Sequence, residues 1–287
     1  MTPHHASEIV RVVAGIAIVV GLFDALLLAA WLVHDVLRRP DRPWFSPTWS
    51  LAHVWFALQW ALMLIGITAL AVGLMLGGRV SAGPLIALTI FQNVVFAGVS
   101  AWLVFGVYRA DAQTIGLRWL PTRRDVRIGV GFGLALCVLG SLMQGASYRA
   151  LHAVLSSAHL KWLQDASRMF SADQFFPRSE VLSSPALAVS LLIAIGVATP
   201  LGEEFMFRAL LHRAARMRLG AVWGTLASSA VFALVHAGPL QILAILPMGL
   251  ALGVAYDRSR SLWVPILMHA VNNTLGVVAL YFIPGMR

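Results

Sequence analysis

Residues 185–208 read PALAVSLLIAIGVATPLGEEFMFR, and this stretch decides the fold. It begins as an apolar run of membrane-span length and then carries Glu203, Glu204 and Arg208 without losing its helical periodicity. A transmembrane helix needs about 20 mostly apolar residues, and ionisable groups inside such a helix are costly and usually functional. The stretch therefore predicts one long or kinked membrane helix whose charges serve a chemical purpose.

The composition of the whole chain agrees with this prediction. Hydrophobic residues make up 59% of the 287 residues and charged residues only 11%, against roughly 25% charged residues in an ordinary soluble domain. A chain of this composition has too little polar surface for a soluble single-domain enzyme. The sequence predicts an all-α, polytopic membrane protein that is embedded in the lipid bilayer.

Apolar runs bounded by charge, Pro and Gly predict about eight transmembrane helices. The predicted spans are 9–36, 51–77, 83–108, 126–146, 185–201, 220–236, 239–256 and 262–283. Between the fourth and fifth spans, large apolar residues are interleaved with basic ones, which indicates an interfacial amphipathic helix within 148–184. We therefore divide the chain into an N-terminal part, 1–184, and a C-terminal set of helices, 185–287.

The net charge of +9 gives the protein an orientation rather than an anionic partner. Basic residues concentrate in alternate short loops, for example Arg213, Arg216 and Arg218 after the fifth span, and the positive-inside rule places those loops in the cytoplasm. No nucleic acid partner is expected. The single cysteine, Cys137, excludes an internal disulfide. The large excess of Arg over Lys favours a bacterial cell membrane as the location.

Polar side chains that a membrane span does not need collect in the last third of the sequence. Glu204 and Arg208 are four residues apart, so they share a helical face and pair. Glu203 is turned about 100° away and has no partner nearby in the sequence. This spacing predicts Glu203 as a general base and Glu204 as a structural anion. His269 and Asn273 are also four residues apart and are expected to point to the same place.

A buried carboxylate that faces two imidazoles and a carboxamide supports peptide-bond hydrolysis without a covalent nucleophile. The carboxylate takes a proton from water, a histidine orients that water, and His and Asn donate to the developing oxyanion. Two other chemistries stay open. Ser228 or Ser229 near His236 would support serine chemistry, although no G-x-S-x-G elbow is present. Zinc would use Glu203, His236 and His269, although no H-E-x-x-H helix occurs.

Three short motifs in order resemble a known family. They are E-E-x-x-x-R at 203–208, F-x-x-x-H at 232–236 and H-x-x-x-N at 269–273, accompanied by GLALG at 249–253 and SLW at 261–263. This set resembles the CAAX-processing and bacteriocin-processing (CPBP) family of intramembrane proteases, which is related to the type II CAAX prenyl endopeptidase. The resemblance covers about 191–280. Its specificity lies in the order of the motifs on separate predicted spans.

The resemblance implies roles for the matching residues. The candidate catalytic residues are Glu203, Glu204, His236, His269 and Asn273, with Arg208 in support. In this reading Glu203 activates water with His236, while His269 and Asn273 hold the oxyanion or complete a metal site. The family is commonly labelled a metalloprotease, and a metal-independent glutamate mechanism has also been argued for its members. A zinc cofactor and a metal-free site both stay open.

We therefore expect an intramembrane endopeptidase that cuts a membrane-associated or hydrophobic peptide or protein near the cytoplasmic face. The alternative is a non-proteolytic binding, immunity or scaffold protein that uses the same cluster. The first half of the chain carries no recognised motif, so the resemblance brings no substrate with it. Outside the cluster, we expect Asp24, His53 and Asn93 to be structural and His212 to lie in the membrane interface or in solvent.

Overall fold

The computed structural model describes residues 49–77, 81–155, 176–236 and 239–282. Within these ranges the regular elements are helices and no strand occurs, which confirms the all-α prediction for the described part of the chain. The predicted span at 9–36, which contains Asp24, lies outside the described residues, and so do residues 156–175 of the predicted interfacial segment.

Nine α-helices form within the described residues. They are α1 (Leu51–Met75), α2 (Ala82–Ala101), α3 (Arg123–Leu155), α4 (Arg178–Ser183), α5 (Pro185–Ile193), α6 (Thr199–Glu204), α7 (Arg213–Leu234), α8 (Pro239–Ser259) and α9 (Trp263–Val277). Four π-helical segments extend or join them: Trp102–Val107, Ala194–Ala198, Phe205–His212 and Val278–Phe282. A short 3₁₀ helix, Ala112–Ile115, lies between α2 and α3. Helix α3 continues to Leu155, so the start of the predicted interfacial segment belongs to this helix.

Four helical segments of the described residues are long and apolar enough to cross a membrane. They are Leu51–Met75, Ala82–Val107, Pro185–Leu234 and Trp263–Phe282. The third segment has 50 residues and would be about 75 Å long if it were straight, more than twice the roughly 30 Å of a bilayer core. It is not straight, because Gly220 has φ 79° and ψ −179° and interrupts the helical backbone.

The bend at Gly220 lies where the sequence predicts the boundary between two spans. The two arms of α7 approach each other closely beside it, since a Cβ on Gly224 would lie only 2.5 Å from the Cα of Arg216. The predicted separation of the fifth span from the sixth is therefore visible as a bend within one helical segment. The total of eight spans stays a prediction.

Glycines allow neighbouring helices to approach the helix that carries the two glutamates. A Cβ on Gly202 would lie 2.4 Å from the carbonyl oxygen of Asn93 on α2. On Gly196, a Cβ would lie 2.5 Å from Oγ1 of Thr274 on α9. Helix α2 thus packs against the α5–α6 segment at backbone distance, and α9 packs against it through the Thr274 side chain. Glu203 lies directly after the contact with α2.

Aromatic side chains pack behind the glutamates around the π-helical segment Phe205–His212. The Phe207 ring meets Phe96 at 5.9 Å and Phe232 at 5.0 Å, both edge to face. The Trp49 indole donates a hydrogen bond to the Leu210 carbonyl at 3.0 Å. Such edge-to-face pairs stabilise beyond the area that they bury, so α2, α7 and the π-helical segment form one packed unit.

We expect Gly202→Val to lower the free energy of unfolding by about 1–3 kcal/mol or more, because the added side chain meets the backbone of α2. The matched control is Gly98→Val on α2, where no heavy atom lies within 4 Å of an added Cβ. Thermal unfolding of the purified protein in detergent measures both changes. Equal melting of the two variants would contradict this packing.

Candidate active site

The two adjacent glutamates end α6 and are both withdrawn from solvent. Glu203 is 5% exposed and Glu204 is fully buried. A π-helical segment begins at the next residue, Phe205, and π-helical turns are frequent at functional sites because they change which side chains face inward. The two carboxylates lie on different faces of the helix, and each meets a different set of partners.

Glu204 is held between two basic side chains. Its Oε2 lies 3.0 Å from Nε of Arg208, one helical turn later, and its Oε1 lies 2.9 Å from Nδ1 of His269 on α9. The contact with Arg208 is an ion pair rather than an aligned hydrogen bond. The predicted pairing of Glu204 with Arg208 is confirmed, whereas the contact with His269 was not foreseen.

Arg208 is itself completely buried. Its guanidinium carbon lies 4.6 Å from the centre of the Phe232 ring, a cation–π distance at which the ring face stabilises the charge. Its two Nη atoms have no hydrogen-bond partner among the described residues. The buried charge of Arg208 therefore depends on Glu204 and on the aromatic ring.

Glu203 faces two imidazoles instead. Its Oε2 lies 3.7 Å from Nε2 of His236 and 3.9 Å from Nε2 of His269. This oxygen is buried and has no hydrogen-bond partner in the part of the chain that the structure describes. Two ring nitrogens and one carboxylate oxygen thus point toward one another just beyond hydrogen-bond distance.

The other nitrogen of each ring is already engaged. Nδ1 of His236 lies 2.7 Å from the Phe232 carbonyl, and a carbonyl oxygen only accepts, so Nδ1 carries the proton and donates it. Nδ1 of His269 lies against the Glu204 carboxylate, which also accepts. These contacts direct both Nε2 atoms to Glu203, and they leave each Nε2 free to bind or orient another atom.

Asn273 is turned toward a different partner. Its Nδ2 donates to the Ile195 carbonyl at 3.2 Å, and its Oδ1 accepts from Nδ2 of Asn272 at 3.3 Å. Ile195 lies in the π-helical segment Ala194–Ala198, so Asn273 ties α9 to that segment. One N–H of the amide is used in this way, and the predicted oxyanion role of Asn273 stays a prediction.

The three predicted metal ligands are spaced slightly more widely than the ligands of a bound zinc ion. Tetrahedral zinc ligands at 2.0–2.2 Å lie about 3.4 Å from one another, whereas the Glu203 oxygen lies 3.7 and 3.9 Å from the nitrogens of His236 and His269. Among the described residues, no three His, Cys, Asp or Glu side chains are grouped closely enough to hold a metal ion. The zinc reading of these three residues stays a prediction.

A second polar cluster centres on His212, which corrects one prediction. We expected His212 in solvent or the interface, but it is completely buried. Its Nδ1 lies 2.9 Å from Oγ of Ser228, and its Nε2 lies 3.1 Å from Oδ1 of Asp257, which also pairs with Arg216. No sequence signal revealed this cluster, because Ser228 and Asp257 lie 16 and 45 residues from His212 and match no motif.

The order Ser–His–Asp resembles a serine hydrolase triad, but Ser228 is not placed as a nucleophile. Its Oγ donates to the Thr225 carbonyl at 3.1 Å, and the residue is 1% exposed. Burial raises the pKa of Asp257, but the hydrogen bonds and charges of His212 and Arg216 outweigh it and hold that pKa below the usual range. We therefore interpret the cluster as structural: its hydrogen bonds and ion pair join the π-helical segment, α7 and α8.

The two polar residues expected to be structural make contacts between helices. His53 at the start of α1 has Nδ1 2.8 Å from the Ser50 hydroxyl and also contacts the Tyr108 hydroxyl. Asn93 on α2 donates to Oγ1 of Thr199 on α6 at 3.0 Å. Both residues hold the elements around the glutamates in register.

Comparison with known proteins agrees with the motifs. Residues 185–275 match the family model described as Type II CAAX prenyl endopeptidase Rce1-like. This match confirms the resemblance of the C-terminal helices to CAAX-processing and bacteriocin-processing proteins. Every residue of the glutamate–histidine cluster lies within the matched range.

A curated relative matches a stretch of similar length to the one matched by the family model. The Bacillus subtilis (strain 168) protein named "Putative membrane peptidase YdiL" is 33% identical over 92 residues, which are 32% of this chain and 38% of that protein. The chain thus matches little more than a third of that relative's length. No solved structure gives a significant match.

The contacts predict that replacing Glu204 lowers the stability of the protein far more than replacing Glu203. Glu204→Ala leaves Arg208 as an uncompensated buried charge and should destabilise the protein by about 3–5 kcal/mol. Glu203→Ala removes a carboxylate with no hydrogen-bonded partner and should change stability far less. Thermal unfolding in detergent compares the pair, and a larger loss at Glu203 would contradict the assignment of Glu204 as the structural anion.

Proposed function

We propose that the chain is a peptidase: an intramembrane endopeptidase that hydrolyses a peptide bond in a membrane-associated or hydrophobic peptide or protein. The observation that carries the proposal is the buried Glu203 oxygen faced by Nε2 atoms of His236 and His269 at 3.7 and 3.9 Å. The match of residues 185–275 to an endopeptidase family model supports the same class of reaction.

Glu203 is the general base in this proposal. Groups 3.7 Å apart, such as its Oε2 and Nε2 of His236, are bridged by a single water at ordinary hydrogen-bond distances. The Glu203 carboxylate takes one proton from that water while the water oxygen attacks the carbonyl carbon of the substrate. His236 accepts from the same water through Nε2 and fixes its orientation.

The next step breaks the peptide bond. The tetrahedral intermediate carries an oxyanion, which Asn273, through its remaining amide N–H, and His269 are proposed to hold. The contact between Nδ1 of His269 and the Glu204 carboxylate, at 2.9 Å, turns Nε2 of His269 toward the site. Glu203 then passes its proton to the departing amine nitrogen as the C–N bond breaks, which leaves a carboxylic acid and an amine; the acid then releases its proton to water.

The position of the site favours the cytoplasmic half of the membrane. The Arg213, Arg216 and Arg218 cluster begins about three helical turns after Glu203. Because the positive-inside rule places this cluster in the cytoplasm, the proposed site lies at moderate depth on the cytoplasmic side. A substrate would reach it from the membrane or from that face.

We expect Glu203→Gln to reduce cleavage by about 10²–10⁴-fold, because the amide no longer accepts a proton from water. Purified protein in liposomes is incubated with a library of hydrophobic peptides, and mass spectrometry counts the new termini. Ser228→Ala is the matched control and should cleave at the rate of the unchanged protein. Undiminished cleavage by Glu203→Gln, or loss of cleavage in Ser228→Ala, would contradict the proposal.

The proposed water activation needs no metal, so we expect cleavage to survive treatment with a zinc chelator. The measurement combines metal analysis of the purified protein with the peptide assay before and after chelation. Loss of cleavage that zinc alone restores would instead assign Glu203, His236 and His269 as metal ligands. In that case His236→Ala would also lower the zinc content.

A further inference from the structure

A cavity lies away from the glutamate–histidine cluster. Its volume is about 450 Å³, which falls within the 300–1,000 Å³ of small-molecule sites. Besides His212 and Tyr256, which have hydrogen-bond partners, the polar residues that line it are Gln113, Thr114, Arg213, Arg216, Asp257 and Arg260. They come from the 3₁₀ helix, the start of α7, the end of α8 and the loop before α9, and the proposed peptidase chemistry uses none of them.

The charge of this lining is strongly positive. Three arginines face a single carboxylate, Asp257, and that carboxylate is already shared by Arg216 and His212. Arg213 and Arg260 therefore remain without a carboxylate partner in the lining. Nε of Arg213 is buried and has no hydrogen-bond partner among the described residues, so an anion in the cavity would offset a desolvated donor.

The backbone holds Arg260 over the cavity in an uncommon conformation. Arg260 has φ 53°, the left-handed region that non-glycine residues rarely adopt. Gly116, with φ 68°, packs so tightly there that an added Cβ would lie 2.4 Å from the Arg260 carbonyl oxygen. The Leu262 N–H donates to the Gly116 carbonyl at 3.0 Å and closes this contact. Such strain tends to persist where a site requires it.

Aromatic residues place the cavity at the level of the membrane interface. Trp119 is 93% exposed, and Trp263 donates from its indole to the Arg118 carbonyl at 2.9 Å. Tryptophans of this kind collect at the head-group level of bilayers. The neighbouring arginine loops are the predicted cytoplasmic ones, and basic pockets on that side are suited to anionic head groups.

We propose that this cavity binds a phosphate-bearing anion, supplied by the head group of an anionic membrane lipid. Arg213 and Arg260 would contact the phosphate oxygens, since guanidinium groups match phosphate bidentately. Gln113 and Thr114 would contact the polar remainder of the head group. Asp257 would hold Arg216 in an ion pair and would leave Arg213 and Arg260 available to the phosphate.

The test measures binding without relying on peptidase activity. Full-length protein is placed in nanodiscs of phosphatidylcholine with and without phosphatidylglycerol, and thermal unfolding is recorded. In detergent, glycerol 3-phosphate is compared with glycerol as a soluble phosphate source. We expect phosphatidylglycerol to raise the unfolding temperature, and Arg260→Gln to weaken that binding roughly tenfold because it removes a charge-assisted contact.

Two further variants complete the design. Arg213→Gln should act like Arg260→Gln, whereas the exposed Arg218→Gln, which does not line the cavity, should keep the full shift. A shift with glycerol 3-phosphate alone, abolished by Arg260→Gln, would support phosphate binding from a soluble source. No shift with either phosphate source, or equal shifts in Arg260→Gln and Arg218→Gln, would overturn the proposal.

Discussion

The buried ion pair between Glu204 and Arg208 is the constraint on which the proposed site depends. A fully buried guanidinium is tolerated only with an opposite charge close by, and Glu204 supplies that charge at 3.0 Å. The same carboxylate holds Nδ1 of His269 at 2.9 Å. One anion thus joins the glutamate helix to α9 and fixes the orientation of a histidine at the same time.

Glu203 differs from Glu204 because its surroundings differ. The helical backbone turns the two side chains to different faces, and the faces offer different partners. Glu204 meets a permanent cation, whereas Glu203 meets two Nε2 atoms beyond hydrogen-bond distance. The Glu204 carboxylate is held in place by its partners, and our proposal assigns the Glu203 carboxylate to the transfer of a proton from water. Both depend on the close approach of α2 at Gly202, because that contact sets the position of the helix end.

Local spacing predicted the parts of this arrangement that lie on one helix. The four-residue interval gave the pair of Glu204 with Arg208, and the apolar run lengths gave the break near Gly220. Contacts between segments that are distant in the sequence could not be predicted from local spacing. His269 is 65 residues from Glu204. The hydrophobic periodicity of the sequence does not predict which face of α9 packs against α6. The order of the motifs suggested that these residues lie close together, but it did not predict which atoms are in contact.

The burial of His212 is a second feature that the sequence did not predict. It lies next to a run of arginines, so its sequence context suggested an exposed position. The π-helical segment that ends at His212 and the bend at Gly220 bury it against Ser228 and Asp257 instead. A π-helical segment changes the register of every later residue on a helix, and nothing in the composition of Phe205–His212 predicts one.

The central claim is that water attacks the peptide carbonyl directly, with Glu203 as the base. The most direct test is cleavage in ¹⁸O-labelled water with hydroxylamine present, followed by mass spectrometry of the new carboxyl terminus and of the protein. The account predicts one ¹⁸O atom in that terminus after a single turnover, no hydroxamate and no protein adduct. A hydroxamate product or an acylated protein would contradict it, because either one requires a covalent intermediate on the chain.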